Sequence, residues 1–124
     1  MTNKSQVRMR RVYDEPPRED GTRVLVDRVW PRGLSKDRAR LDEWSKQVAP
    51  SAGLRRWYAH DRARFAEFSR RYRVELQAPE RAAALSHLRR LAKDQTVTLL
   101  TATKDIAISQ AAVLADLVRT GSDS

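Results

Sequence analysis

Residues 24–33 read Val24-Leu-Val-Asp-Arg-Val-Trp-Pro-Arg-Gly33, an apolar run that ends in charged side chains. The first three residues have the composition of a buried strand, whereas Asp27 and Arg28 cannot enter a core without partners. Pro31 and Gly33 then stop the strand and turn the chain. We therefore expect the charged side chains at the exit of a buried strand, beside each other or beside a ligand.

Another strand is predicted towards the other end of the chain, where Gln95 to Thr101 is rich in β-branched residues. Apolar residues recur at helical spacing before and after this segment. Strands that alternate with helices predict an α/β domain in which a small parallel sheet is covered by helices on both faces. We expect one such domain over residues 1–121 and a disordered tail at 122–124.

Caps and breaks in the sequence set the predicted boundaries of the elements. Ser35, Ser51 and Asp61 each precede a segment with helical periodicity and are predicted N-caps. The predicted strands are 7–13, 22–29 and 95–101, and the predicted helices are 36–48, a short segment after Ser51, 62–77, 80–93 and 106–118. The predicted core consists of Val24, Val26, Leu41, Trp44, Phe65, Phe68, Leu85, Leu88, Val97, Leu99, Ala111 and Leu114.

The composition limits the classes of function. The chain has 124 residues and no cysteine, which removes disulfides, thiolate nucleophiles and cysteine-based zinc sites. No apolar run reaches the roughly 20 residues that span a bilayer, and the first residues lack a secretion signal, so we expect a cytoplasmic protein without membrane contact. His60 and His87 are far apart in the sequence, which argues against a transition-metal site. No glycine-rich phosphate loop is present, and we assign no cofactor.

A formal net charge of +9 at pH 7 favours anionic partners such as nucleic acid, acidic proteins and phosphorylated small molecules. One alternative is therefore nucleic-acid binding through the arginine-rich helices 62–73 and 81–93. Part of the charge also has a local explanation, because predicted helices place acidic and basic side chains one turn apart. The predicted pairs are Asp42 with Lys46 and Glu67 with Arg71.

Two predicted strands end in charged residues, one at Asp27 and Arg28 and the other shortly before Lys104 and Asp105. If these strands run parallel, their ends meet at the edge of the sheet where open α/β proteins bind ligands. The N-terminus of the following helix adds unpaired N–H groups that favour an anion. Carboxylates there orient the cations, bind a ligand hydroxyl or act as a general base. The predicted cations of the site are Arg28, Arg32 and Lys104, and the predicted carboxylates are Asp27 and Asp105.

Two further residues are candidates for the same site. His60 lies at a helix break and would carry a proton if the fold brings it towards Asp27. Trp30 stands beside two arginines, which indicates a ligand wall, whereas core packing explains the other large aromatic residues better. Structural alternatives remain for the candidates: Asp105 as a helix N-cap, Asp27 as the ion-pair partner of Arg28 or Arg32, and His60 as a helix-terminus residue.

Several long motifs follow one another over nearly the whole chain. They are Arg23-Val-Leu-Val-Asp-Arg-Val-Trp-Pro-Arg-Gly-Leu-Ser-Lys36, Leu41-Asp-Glu-Trp44 followed by Ala49-Pro-Ser51, Leu54-Arg-Arg-Trp57 with His60-Asp61, Phe68-Ser-Arg-Arg-Tyr-Arg-Val-Glu-Leu76 and Val97-Thr-Leu-Leu-Thr-Ala-Thr-Lys-Asp105. Together they resemble the family of the domain of unknown function 488, in its short YeaO-like branch. The resemblance implies a compact α/β domain and marks the candidate residues as motif positions, but it supplies no activity, substrate or cofactor.

In one place the chain departs from the pattern of that branch. Relatives commonly carry an Asn-His-Ala segment where this chain has Ile108-Ser-Gln-Ala111. Ser109 and Gln110 can hydrogen-bond a ligand, but they cannot shuttle protons near neutral pH. If that histidine serves chemistry in relatives, we expect the activity to be lost or altered here.

The leading hypothesis is a cytoplasmic α/β protein that binds a small anionic or phosphorylated ligand at the ends of the two strands, with enzymatic turnover left open. The first alternative is a basic accessory protein that binds nucleic acid. A second alternative is a structural partner for an acidic protein. Salt separates the first two, because binding through many phosphates weakens steeply with added salt and a pocket contact weakens less.

Overall fold

Residues 6–121, which the computed structural model describes, form a four-stranded parallel sheet and five α-helices. The strands lie in the order β1-β4-β2-β3, and no described helix is long and apolar enough to cross a membrane. This architecture confirms the predicted small α/β fold, and the predicted tail at 122–124 lies outside the described residues. The elements are β1 (Val7–Arg11), β2 (Thr22–Leu25), α1 (Lys36–Ala39), β3 (Glu43–Trp44), α2 (Ala52–Tyr58), α3 (Phe65–Glu75), α4 (Pro79–Asp94), β4 (Val97–Thr101) and α5 (Gln110–Thr120).

β4 lies at the centre of the sheet, between β1 and β2. Val97 is opposite Val7 on one side and Thr22 on the other. Every residue of β4 is buried, which its run of apolar and β-branched residues allows, because both faces of a parallel sheet are covered. The carboxyl ends of β2 and β4 therefore lie side by side at one edge of the sheet.

The two faces of the sheet are covered unequally. Val97 and Leu99 point to the first face, where they pack with residues of α2, α3, α4 and α5 in one large cluster. Leu25 and Leu100 point to the second face, where α1 and the neighbouring loops form a smaller cluster. The first face thus holds most of the apolar core, and the four longer helices meet there.

The second face also contains buried charge. Asp20 is 1% exposed, and its carboxylate forms ion pairs with Arg10 and Arg23. Arg23 donates further hydrogen bonds to the carbonyl oxygens of Ala39 and Arg40 at the end of α1. This network replaces apolar packing over part of the second face and joins β1, β2 and α1.

The prediction of one helix over 36–48 is wrong. Ser35 caps α1 as expected by accepting the N–H of Arg38, but α1 ends after one turn because Arg40 adopts a left-handed conformation, with φ of 49°. The chain then forms β3, where Trp44 pairs beside Leu25. The spacing of the apolar residues suits a helix, but pairing with the distant β2 determines the structure. The predicted Asp42–Lys46 pair also does not form, and the Lys46 ammonium lies 4.2 Å from the centre of the Trp44 ring.

Other boundaries moved by a few residues. β1 and β2 are shorter than the predicted 7–13 and 22–29. Val29, which was predicted to end the second strand, lies outside β2 and is 60% exposed. The segment Ile106–Ile108 is a 3-10 helix, and α5 begins after it. Ser51 and Asp61 are N-caps as predicted, Asp61 at a 3-10 helix, Arg62–Arg64, that leads into α3. Of the predicted core, Leu41, Trp44 and Phe65 are only partly buried, and the remaining residues are buried.

Candidate functional site

A cleft of about 600 Å³ opens at the carboxyl edge of the sheet, beyond the ends of β2 and β4. Its volume lies within the range of ordinary small-molecule sites, roughly 300 to 1,000 Å³. The polar lining consists of Asp27, Arg55, His60, Arg62, Thr103, Lys104, Asp105 and Gln110, and the remaining lining residues are Pro50, Tyr58, Phe68, Ala102 and Ile108.

Asp27 is held at the floor of this cleft by three donors from the far end of the chain. The hydroxyl of Thr101 and the side-chain amide of Gln110 donate to Oδ1, at 2.7 and 2.5 Å. The backbone N–H of Ala102 donates to Oδ2 at 2.8 Å. The structural alternative of an ion pair between Asp27 and Arg28 or Arg32 is wrong, because none of the ion pairs found within residues 6–121 involves Asp27.

Burial raises the pKa of Asp27 above its ordinary value. The hydrogen bonds from Ala102 and Thr101, the positive charge of Arg55 and the hydrogen bond from Gln110 oppose this effect without cancelling it. The reason is that a carboxylate loses more by leaving water than neutral donors return. Asp27 is thus a carboxyl group with a reduced tendency to ionise, fixed in place by its neighbours.

The donors that hold Asp27 are themselves fixed. Thr101 Oγ1 accepts the backbone N–H of Thr103 at 3.1 Å and lies 3.2 Å from the Thr103 hydroxyl. Gln110 is the first residue of α5, so its amide reaches Asp27 from the N-terminus of that helix. The end of β2, the end of β4 and the start of α5 therefore meet at one polar network.

Three cations line the cleft, and they differ in their contacts. Arg62 forms an ion pair with Asp105 at 2.5 Å. The side chains of Arg55, from α2, and Lys104 form no hydrogen bond or ion pair with any other residue between 6 and 121. Asp105 does not cap the following helix through its side chain, which was the structural alternative for this residue. Its side chain makes no capping hydrogen bond and is paired with Arg62 instead. Two positive charges therefore face the cleft without a bonded counter-charge.

His60 reaches the cleft through an unusual turn. α2 ends where Ala59 and His60 both adopt left-handed conformations, with φ of 49° and 56°. Two such residues in succession are uncommon outside glycine and asparagine, and they reverse the chain so that the imidazole joins the lining. The ring of His60 lies 6.0 Å from that of Tyr58, whose hydroxyl donates to the carbonyl of Ile108. Within the described residues His60 forms no hydrogen bond with Asp27.

Three predicted ligand contacts lie elsewhere. Trp30 packs in the cluster of the second face, where its indole N–H donates to the carbonyl of Leu34 and its ring meets Trp44 edge-on. Trp30 is therefore part of this apolar cluster and does not line the cleft. Arg28 and Arg32 are exposed and are not among the lining residues. The reason is that the chain leaves the sheet edge after Asp27 and crosses to the second face.

The cleft contains residues that the sequence analysis missed as site residues. Arg55 and Arg62 are two among many arginines of a basic region, and nothing in their local sequence distinguishes them. Gln110 was identified as a group that could bind a ligand, but its partner Asp27 is 83 positions away. Only the packing of α2 and α5 against the sheet edge reveals these contacts.

No group of three or more His, Cys, Asp and Glu side chains arranged to hold a metal ion occurs between residues 6 and 121. His87 lies outside the cleft, on α4, where its Nε2 contacts both carboxylate oxygens of Glu43 in β3 at 2.9 and 3.0 Å. This contact joins α4 to the edge strand. We therefore assign His87 to the framework of the fold.

The sequence matches a family profile described as the inactive DUF488-N3 subclade over residues 6–123. An uncharacterized protein of Mycobacterium tuberculosis is 49% identical over 118 residues, which cover 95% of this chain and 98% of the relative. The uncharacterized protein YeaO of Escherichia coli is 40% identical over 113 residues, 91% of this chain and 96% of the relative. No solved structure matches the chain significantly.

Proposed function

Because the chain belongs to the DUF488-N3i family, the inactive DUF488-N3 subclade, we propose that it binds a small anionic ligand in the cleft and does not turn it over. The observation that carries this proposal is the pair of cations, Arg55 and Lys104, whose side chains line the cleft without a hydrogen-bonded or ion-paired partner among residues 6–121. Charged donors of this kind bind carboxylates and phosphates strongly in a partly enclosed site.

The charge inside the cleft supports an anion rather than a cation as the ligand. Both carboxylates of the lining are already engaged, Asp27 by three neutral donors and Asp105 by Arg62. A cation entering the cleft would have to displace these donors, whereas an anion meets Arg55 and Lys104 directly. The ligand class is therefore one that carries a phosphate or carboxylate group.

The other wall of the cleft supports a ligand larger than a simple ion. Tyr58 and Phe68 stack with their ring centres 4.2 Å apart, and Pro50 and Ile108 complete an apolar surface. Ligand sites commonly combine such a surface with a few polar groups that fix orientation. We expect the anionic group to lie at the cations and the body of the ligand to lie against this wall.

The geometry at Asp27 supports binding without turnover. A general base needs a free lone pair within reach of the proton that it removes. Three of the roughly four lone-pair positions of the Asp27 carboxylate already accept hydrogen bonds from Thr101, Ala102 and Gln110, which leaves little room for a proton from a ligand. Gln110, which occupies the wall beside it, has no titratable group. In this proposal Asp27 anchors the sheet edge, and His60 contributes a polar contact at the rim.

Isothermal titration calorimetry with pyrophosphate and glycerol phosphate tests this proposal. We expect wild-type protein to bind, and Arg55→Gln and Lys104→Gln each to weaken binding by about tenfold, the effect of losing one charge-assisted hydrogen bond. Arg56→Gln is the matched control, because it removes the same charge from the next residue of α2, which is exposed and does not line the cleft. Because the proposal excludes turnover, we expect glycerol phosphate to be recovered intact after incubation with the protein.

Three outcomes contradict the proposal. If wild-type protein binds none of the probes, the cleft is not an anion site. If Arg56→Gln weakens binding as much as Arg55→Gln, the attraction is a general effect of the net charge. Release of phosphate from glycerol phosphate would contradict the second half of the proposal and restore an enzymatic role.

Binding of nucleic acid through the helical arginines has less support. Many of these guanidinium groups are engaged within the protein, where they bond carboxylates or backbone carbonyls. Short oligonucleotides at low and high salt form the second arm of the titration, and steep loss of binding with salt would favour this alternative. The engaged groups are Arg70 and Arg71 with Glu67, Arg73 with Asp116, Arg81 with Ala49, and Arg89 with Leu117.

A further inference from the structure

The ion pair between Arg62 and Asp105 joins two separate segments at the rim of the cleft. Arg62 lies in the 3-10 helix before α3, and Asp105 lies in the segment that follows β4. Their side chains are 73% and 43% exposed, and the closest nitrogen and oxygen atoms are 2.5 Å apart. Both residues line the cleft, so the pair stands where a ligand enters.

In this ion pair the guanidinium of Arg62 already binds a carboxylate, which is the kind of group that an anionic ligand would present to it. A guanidinium binds carboxylates and phosphates through the same planar set of donors. Asp27, the other carboxylate of the cleft, is held by neutral donors and leaves the neighbouring cations unbonded. Of the cleft cations Arg55, Arg62 and Lys104, Arg62 is therefore the one whose side chain is bonded to a carboxylate of the protein itself.

We propose that Asp105 is a built-in competitor, which an anionic ligand displaces from Arg62 when it binds. This inference rests on the proposed function, because it concerns the same cleft. Exposed ion pairs contribute little to stability, so a ligand that brings its own charge can replace Asp105 without a large penalty. The displaced carboxylate turns to solvent, and Arg62 becomes the third cation of the occupied site.

The competition sets the charge that the ligand needs. A singly charged carboxylate is satisfied by Arg55 and Lys104 and gains little from displacing Asp105. A phosphate monoester carries a charge of about −1.5 to −2 at pH 7 and has three acceptor oxygens, so it can engage Arg62 as well. The cleft therefore selects doubly charged phosphate groups over singly charged carboxylates.

A double-mutant cycle with pyrophosphate as the probe tests this inference. We expect Asp105→Asn to tighten binding by about fivefold, because the Arg62 guanidinium is released to the probe. In the Arg62→Gln background we expect the same substitution to change binding by less than about twofold. Asp116→Asn is the matched control, since it breaks another exposed ion pair, with Arg73, outside the cleft.

The outcomes separate this inference from the proposed function. If wild-type protein binds pyrophosphate but Asp105→Asn leaves the affinity unchanged, the competitor role is wrong and the anion site remains. An equal gain in both backgrounds is a general effect of charge and also overturns the competitor role. If neither wild-type protein nor Asp105→Asn binds, both proposals fail. If only Asp105→Asn binds, the probe does not displace Asp105 from Arg62 in the wild-type protein, and both proposals are overturned as stated.

Discussion

Asp27 and Glu67 show how position changes the behaviour of a carboxylate in a basic protein. Glu67 lies on the surface of α3, where hydrogen bonds from Arg70 and then Arg71 lower its pKa to about 2. Asp27 lies at the floor of the cleft, where burial raises its pKa. The Glu67–Arg71 contact follows from helical spacing and was predicted correctly. The partners of Asp27 could not be predicted, because they lie 74 to 83 positions away and meet it only through the sheet.

The raised pKa of Asp27 predicts a pH effect on stability. In the folded protein, Asp27 keeps its proton at a pH at which the unfolded chain, where the pKa has its ordinary value of 3.8, has lost that proton. The raised pKa therefore contributes to the stability of the folded protein in full at a pH below the pKa of the unfolded chain. This contribution is lost as the pH rises through the pKa of Asp27 in the folded protein. We expect the melting temperature of wild-type protein, relative to that of Asp27→Asn, to fall between pH 4 and pH 7. Thermal denaturation of both proteins across this range measures it, and a relative rise would contradict the prediction.

At the scale of elements, local sequence patterns predicted the first residue of a helix better than the length of that helix or the type of element that follows it. Ser35 caps a helix as predicted, but Leu41 and Trp44, whose spacing suits a helix, lie in a loop and in strand β3. The N–H of Ser45 donates to Leu25, and the indole of Trp44 donates to the carbonyl of Asp27, so pairing with β2 decides the conformation. Such pairing depends on residues that no local window contains.

Ser51 connects two helices through a single side chain. Its hydroxyl oxygen accepts the N–H of Leu54 at the start of α2, which is the predicted capping bond. The same hydroxyl and the backbone N–H of Ser51 donate to the carboxylate of Glu75 at the end of α3. The cap was predictable from the sequence, whereas the link to Glu75 was not.

This double role predicts that Ser51→Ala destabilises the protein more than Ser35→Ala. Ser35 caps only the one-turn helix α1 and is exposed. Loss of a cap costs about 0.5 to 2 kcal/mol, and we expect Ser51→Ala at about 2 and Ser35→Ala at about 0.5 kcal/mol. Urea denaturation of the two variants measures the difference. An equal or reversed order would show that the contact with Glu75 adds nothing.

At the scale of the whole molecule, a buried ionic network takes the place of part of the hydrophobic core. Asp20 accepts hydrogen bonds from Arg10 in β1 and Arg23 in β2, and its backbone carbonyl accepts the hydroxyl of Thr98 in β4. Three strands therefore converge on one residue of a connecting loop. The large cluster on the other face joins the same strands to the helices.

The network predicts a large effect of Asp20→Asn on stability. Removing one partner of a buried ion pair leaves the other charges without compensation and costs about 3 to 5 kcal/mol. Domains of this kind are typically stable by about 5 to 15 kcal/mol, so the variant should lose a large share of its stability. Asp116→Asn, at an exposed pair, should cost less than about 1 kcal/mol. Chemical denaturation measures both, and a loss below 1 kcal/mol for Asp20→Asn would contradict the prediction.

The central place of β4 has a consequence for synthesis of the protein on the ribosome. β1 and β2 pair with β4 and not with each other, although both are translated long before it. At about 5 to 20 residues per second, roughly 4 to 15 seconds separate the translation of Leu25 from that of Thr101. During this interval the nascent chain carries two strands without the neighbour that completes them. The apolar sides of these strands are then exposed to chaperones, and the sheet closes only after β4 leaves the exit tunnel.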